Sequence, residues 1–337
     1  ENALANVNIS WETARKLDAG FDVALFNNRL QITGDYYHDR YEDLLQVRGK
    51  SIALSGASYP AENIGINLYQ GGELTVTYQG RAGAFNYFIT ANGSVEGTRV
   101  VFMDEQRRDY DWNKRTGQPV NMRFGYVADG FFQSAEEAEG SATIAGYKPL
   151  AGDIRYKDLN GDGVIDQFDE APVGTGKPRI YYGVNAGFSW KGIEAGVLLQ
   201  GVTNRVNYVA NFATEAGFQF LNFTYGQAYE QISGRWTPET AATATYPRLS
   251  ADANNSYNKV SSSFWVRNGN YFRVKNVNIA YNLPYKWTSR VRLGSVKLFA
   301  NAQNLFTHAA YDFVDPEVGV GAYPIQRVLN TGINIKF

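Results

Sequence analysis

The chain contains no cysteine, which excludes a disulfide framework, a thiolate zinc site and a cysteine nucleophile. Histidine is nearly absent: His38 and His308 are the two present, and neither stands beside a serine or carboxylate in a nucleophile motif. Without converging titratable groups the sequence offers no catalytic centre, so the expectation is that it is not an enzyme. Charge of one sign is lacking too, since 32 Lys and Arg balance 33 Asp and Glu, so nothing would draw the chain to nucleic acid. No apolar run approaches the ~18 residues of a membrane helix. That absence leaves membrane strands open, because strands hide their lipid face in alternation. Glu1-Asn2-Ala3 has neither a basic nor an apolar leader region, so the expectation is a processed start or part of a longer protein.

What is abundant points to β-structure: 23 Tyr, 20 Phe and 34 Gly stand against 2 Met. The clearest stretch is Ile180 to Gln200. Tyr182, Val184, Ala186, Phe188 and Trp190 alternate with Tyr181, Gly183, Asn185, Gly187 and Ser189. After a tight turn at Lys191-Gly192, Ile193, Ala195, Val197 and Leu199 alternate with Glu194, Gly196 and Gln200. A period of two gives each strand one apolar and one polar or small face, and each arm is long enough to cross a bilayer. The pattern recurs at Leu17–Leu25, Leu30–Tyr37, Leu74–Gln79, Phe85–Asn92, Asn276–Leu283, Val296–Gln303 and Leu329–Phe337. That makes about nine strands.

Short turns follow the first, third, fifth and seventh strands. Longer segments follow the others: Arg48 to Asn63, Val100 to Pro178, Arg205 to Asn268 and Thr307 to Gln326. Alternating short and long connections are the pattern of an outer-membrane barrel, with turns in the periplasm and loops outside. The first strand then runs inward and Phe337 ends in the periplasm. Asp18, Asp22, Asp35, Glu73 and Glu194 all fall on the water-facing set, as burial in lipid would demand. An odd number of strands leaves two open edges, which hydrocarbon does not tolerate, so further strands are expected to close the barrel.

Several blocks, in order, resemble one family. They are SWETARKLDAGFDVALFNNRLQITGDYYHDRYEDLL, ENIG with GGELTVTYQ, and GDIRYKDLNGDGVIDQFDEAPVG. GRWTPE with TYPRLS, SSFWVRNGNYFRVKNVNIAYNLP, LFANAQNLFT, YDFVDPE and the strand ending in Phe337 complete the set. Along nearly its whole length the chain resembles the C-terminal part of SusC/RagA-like TonB-dependent outer-membrane transporters of Bacteroidota. The resemblance implies an all-β transmembrane antiparallel barrel of about 22 strands with a plugged lumen, of which residues 1–337 supply about nine. It implies TonB-dependent import of large nutrients, glycan oligosaccharides or oligopeptides, with a SusD-like surface lipoprotein outside. The plug and the segment that meets TonB would lie upstream.

The sharpest chemical motif runs from Asp158 to Asp169. Asp158, Asn160, Asp162, Asp166 and Asp169 fall at positions 1, 3, 5, 9 and 12 of an EF-hand-type loop, with Gly163 at position 6 and the Val164 carbonyl at position 7. That spacing suits Ca2+; the same composition also makes a plain Asn/Asp/Gly turn. Arg107-Arg108, the stretch Asp109 to Trp112, and the aromatics Phe131, Phe132, Phe218, Phe220, Phe223 and Tyr225 lie in long segments, where they would touch cargo or pack loop on loop. Glu136-Glu137-Ala138-Glu139 reads as a short exposed helix. The alternative to the transporter is a calcium-binding β-rich surface adhesin or glycan-binding module, which would fold in water without lipid.

Overall fold

The computed structural model describes residues 5–49, 59–209, 230–250, 257–312, 314–318 and 322–337. Phe218, Phe220, Phe223 and Tyr225 lie outside them. Each alternating stretch forms a strand, and the strands pair in chain order into one nine-stranded sheet, antiparallel throughout. They are β1 (Thr13–Leu25), β2 (Leu30–Val47), β3 (Ala61–Ala82), β4 (Phe85–Phe102), β5 (Ile180–Trp190), β6 (Ile193–Thr203), β7 (Tyr271–Asn282), β8 (Ser295–Ala309) and β9 (Val328–Lys336).

The register follows from the alternation. Val184 pairs with Leu199 and Ala186 with Val197, so the apolar side chains of the central hairpin share one face. The next pairings continue it, Val197 with Val277 and Ala195 with Ile279. An apolar groove on this face is lined by Phe85, Ala186, Phe188, Val197, Val277 and Ile279. The opposite face carries a polar hollow lined by Gln79, Arg81, Asn185, Ser189, Glu194 and Asn278. Lys191 and Gly192 both take positive φ, 46° and 89°, as a type I′ hairpin turn requires.

Neither face of this wall is covered by a core. Every residue of β1 is exposed, as are the large apolar side chains Leu329, Ile333 and Ile335 of β9. Among the described residues β1 and β9 each pair with one neighbour, leaving an open edge at either end. A sheet with an apolar outer face, a polar inner face and no core is built for lipid on one side and water on the other. Arginine at Val197 should therefore cost about 2–4 kcal/mol of stability in a bilayer, the magnitude for a lipid-facing position near the midplane. Arginine at Gln200 should cost far less, because that side chain faces Glu317 across 3.3 Å. Unfolding titrations in lipid read both; equal costs would place the two side chains on the same face.

Strand ends differ from the expectation. The segment from Ala61 belongs to β3 and pairs with Leu44–Val47, and β4 continues to Phe102. Above the bilayer both faces of a strand meet water, so alternation fades while pairing continues. The turn after β7 also differs: instead of a tight hairpin it forms helix α2 (Tyr285–Thr288) and a 3-10 turn (Ser289–Val291).

The buried core lies in the long segments. Arg123–Tyr126 pairs with Glu170–Gly174, Ala128–Phe131 with Ile154–Tyr156, Thr143–Ile144 with Val164–Ile165, and Val206–Tyr208 with Val266–Asn268. Between them Ile154, Tyr156, Ile165, Val209, Tyr257 and Trp265 form one cluster. The two longest connections thus fold as one unit at the same end of the wall.

Candidate functional site

On the inner face, just below that folded unit, a hollow of about 810 Å3 opens. Glu73, Thr75, Tyr181, Gln200, Arg205 and Glu317 are among its lining residues. A one-residue bulge in β7 lies opposite two of its lining residues, Leu198 and Leu199. Leu198 pairs with Asn276 and Leu199 with Val274, so Lys275 is the extra residue. The bulge turns Lys275 inward beside Arg273, and both reach Glu317.

Arg273 is the hub. Its side chain is 1% exposed. Its Nη1 donates to Glu317 Oε2 at 2.6 Å, Nη2 to Asp315 Oδ2 at 2.7 Å and Nε to Thr307 Oγ1 at 2.9 Å. Lys275 Nζ lies 3.1 Å from Glu317, and Arg205 Nη1 donates to the Pro316 carbonyl at 2.7 Å. These bonds fold the segment after β8 back onto the inner wall. Sequence reasoning missed this cluster. Its signal was present: by simple alternation Arg273 and Lys275 would fall on the apolar face with Val277 and Ile279, where charge is not tolerated, and the acidic Asp-Pro-Glu loop has no evident partner.

A second polar hub sits inside the loop unit. Asp153 is fully buried, with the Arg248 guanidinium 2.7 Å away, and it accepts from Tyr147 Oη at 3.0 Å and Asn258 Nδ2 at 2.9 Å. Burial pushes the phenols of Tyr156 and Tyr257 up, so both stay neutral, and Tyr156 Oη donates to the Tyr257 carbonyl at 2.9 Å. The unit is held by satisfied polar groups as well as apolar ones.

The Asp158–Asp169 loop closes on itself. The Asp158 carboxylate accepts from the N–H of Gly161 at 2.6 Å and Gly163 at 2.8 Å. Both glycines hold positive φ, 77° and 85°. Asn160 Oδ1 accepts from Asp162 N–H at 3.1 Å, and Asp162 Oδ1 from Val164 N–H at 2.9 Å. Asp166 Oδ1 accepts from Phe168 N–H at 2.8 Å. Asp169 is buried and accepts from Leu159 N–H at 2.6 Å and Asp166 N–H at 2.9 Å. Among the described residues no group of three or more His, Cys, Asp or Glu is gathered as a metal site. The donor set is nonetheless all oxygen, and a carboxylate bonded to amides keeps lone pairs free for a hard cation.

The weaker candidates resolve into packing. Tyr110 stacks on Trp112 with ring centroids 4.5 Å apart, and Trp112 Nε1 donates to the Phe168 carbonyl at 2.8 Å. Phe132 is buried and Phe131 meets Phe264 edge-on. The acidic run forms α1 (Ala135–Glu139), capped by Ser134, whose hydroxyl accepts from Glu137 N–H at 3.2 Å. His38 and His308 lie in β2 and β8, opposite Leu17 and Phe272.

No family model matches the chain. It is 28% identical over 369 aligned residues to TonB-dependent receptor P3 of Formosa agariphila, covering 99% of this chain and 35% of that protein. Receptor P26 of the same organism is 24% identical, again over 99% of this chain and 35% of the relative. Among solved structures, the RagAB peptide transporter superposes with a TM-score of 0.71 at 20% identity, over 99% of this chain and 36% of that one. The RagAB importer in its open-open state gives 0.72 at 19% identity, over 100% and 36%. The chain thus spans about a third of the length of the curated relatives it matches. These relatives are receptors and transporters, not enzymes. By sequence along its whole length the chain is a relative of the TonB-dependent receptors, and its fold is a wall of their transmembrane β-barrel.

Proposed function

We propose that this chain is the C-terminal part of an outer-membrane barrel that imports large nutrients in a TonB-dependent manner. The observation that carries the reading is the nine-stranded wall, apolar outside, polar inside and open at both edges, with all its long connections at one end. Further strands close the two edges, a plug fills the lumen, and TonB acts through that preceding portion. A SusD-type lipoprotein covers the extracellular end, where the two longest segments form their folded unit. The C-terminus lies in the periplasm. Oligopeptides are favoured over glycan oligosaccharides as cargo. The hollow's lining mixes carboxylates with cations, Glu73 and Glu317 with Lys177 and Arg205, a charge pattern closer to that of a zwitterionic peptide than to that of a neutral sugar. The similar RagAB protein is described as a peptide transporter.

Two measurements test this. Cysteine placed at Glu139 should react with an impermeant reagent on intact cells, while cysteine at Asn28 or Lys191 should not; labelling of Lys191→Cys from outside inverts the topology. Cells producing the complete protein should take up labelled oligopeptides only when TonB is present. Uptake of oligosaccharides in place of peptides overturns the cargo assignment and leaves the import reading standing.

The Asp158–Asp169 loop is proposed to hold one Ca2+ through Asp158, Asn160, Asp162, Asp166, Asp169 and the Val164 carbonyl. The spacing and the all-oxygen donor set support it. Bound, the ion would cross-link the loop that precedes the Glu170–Gly174 strand. Added Ca2+ should slow proteolysis of the segment around residues 143–178, and Asp158→Asn should abolish that protection. Equal cleavage with Ca2+ and with chelator excludes the site.

A further inference from the structure

The periplasmic end of the wall carries charge of one sign. The turns there contain Arg29, Arg81, Lys191, Lys286, Arg290 and Arg292, with no Asp or Glu in any of the turn segments 26–29, 80–84, 191–192 and 284–294. Among the described residues none of these cations is in an ion pair with a carboxylate, whereas Lys297, on the inner wall, pairs with Glu194 at 2.5 Å. The chain as a whole is nearly neutral, so this is a local segregation.

The turn after β7 combines this charge with exposed aromatic surface. It is not loose. Leu283 N–H donates to the Val296 carbonyl at 2.9 Å, Gly294 N–H to the Lys336 carbonyl at 2.7 Å, and Thr288 is buried beneath the turn. Seated this way, it presents Tyr285 at 72% and Trp287 at 55% exposure, with Val291 also exposed. Tyrosine and tryptophan placed so are suited to the headgroup level, where an apolar ring body meets a wet polar edge. The lipid-facing side chains Ile333 and Ile335 lie in the adjoining strand and the exposed Phe337 follows it, so this end of the wall gathers several exposed apolar side chains. Elsewhere on the same rim, Lys191 lies 5.0 Å over the Trp190 ring. Cation and aromatic are paired again at that level.

We propose that this rim, centred on Tyr285–Arg292, binds the anionic phospholipid headgroups of the periplasmic leaflet. Lys286, Arg290 and Arg292 supply the phosphate contacts, while Trp287 and Tyr285 sit at the glycerol level. The proposal rests on the barrel reading above, since a chain that does not span a membrane has no such leaflet. Charge complementarity selects the occupant: six cations outside any ion pair, with no Asp or Glu in the turns that carry them, attract a negatively charged bilayer surface over a neutral one.

The test uses the complete protein in nanodiscs of phosphatidylethanolamine with a minor share of phosphatidylglycerol, followed by native mass spectrometry of retained lipid. The wild type should retain phosphatidylglycerol about threefold or more above its share in the disc, and Lys286→Gln/Arg290→Gln/Arg292→Asn should bring retention back to that share. Arg292 sits at a φ of 56°, which asparagine adopts readily, so the variant respects the turn. A second readout needs no charge change. Phospholipid brominated near the headgroup should quench a fluorescence component that Trp287→Phe removes. Unselective retention by the wild type, enrichment untouched in the triple variant, or a Trp287 that bromolipid does not quench each overturns the proposal. An unaltered lipid profile together with lost binding of a periplasmic protein would assign the rim to that protein. Nutrient uptake is measured separately, so failure of the import reading is visible apart from failure of this one.

Discussion

Replacing Arg273 by methionine should lower the stability of the inserted barrel by about 3–5 kcal/mol, the cost of breaking a buried ion pair from one side. Among the described residues the guanidinium is the one buried cation that meets Asp315 and Glu317 together, at 2.7 and 2.6 Å. Without it the two carboxylates, two residues apart in one segment, are left side by side against the inner wall with Lys275 as remaining counter-charge. They must then either move to water, taking the segment after β8 with them, or stay and repel. The loss therefore has a local form: protease access around residues 311–326 should rise before the wall itself unfolds. The partner test separates charge from packing. Adding Asp315→Asn and Glu317→Gln to Arg273→Met removes the orphaned charges and should recover part of the loss, because the penalty belongs to the unpaired carboxylates. Thermal melts in lipid measure both variants against the wild type. No recovery in the triple variant would mean that Arg273 acts by filling space.

The second large effect is expected at Trp265, which is 1% exposed at the centre of the loop unit. Its indole N–H donates to the Asn258 carbonyl at 2.8 Å, and its ring meets Phe264 edge-on at 4.7 Å between centroids. Trp265→Ala should cost that unit about 3–5 kcal/mol, the range for truncating a large buried aromatic. The wall should survive. The nine strands share no buried residue with the Ile154–Trp265 cluster, and membrane strands draw their stability from pairing and lipid. The expected result is a protein that still inserts and keeps its heat-modifiable gel mobility, yet loses protease resistance between residues 123 and 268. Loss of insertion along with the loop unit would show that the two fold as one.

The sequence by itself determined the wall. Alternation is a local property, since each residue's face is set by its parity, and lipid on one side with water on the other enforces that parity at every position. The nine strands, their pairing in chain order, the apolar side of Val197 and Ile279 and the polar side of Asn185 and Asn278 were all legible for that reason. So was the side of the wall on which the long connections lie. The legibility stopped where the lipid stops. Above the bilayer β3 and β4 run on through Ala61–Asn67 and Arg99–Phe102 with no alternation to mark them. Only the tertiary structure decided that the two longest segments join in one core, because Ile154, Val209 and Trp265 meet across chain distances that no local pattern encodes. It alone placed Arg273 against Asp315 and Glu317. A bulge at Lys275 shifts the parity of β7 there, and a partner from a distant loop supplies the charges. Parity reports which face a side chain takes; what it meets on that face depends on the rest of the chain.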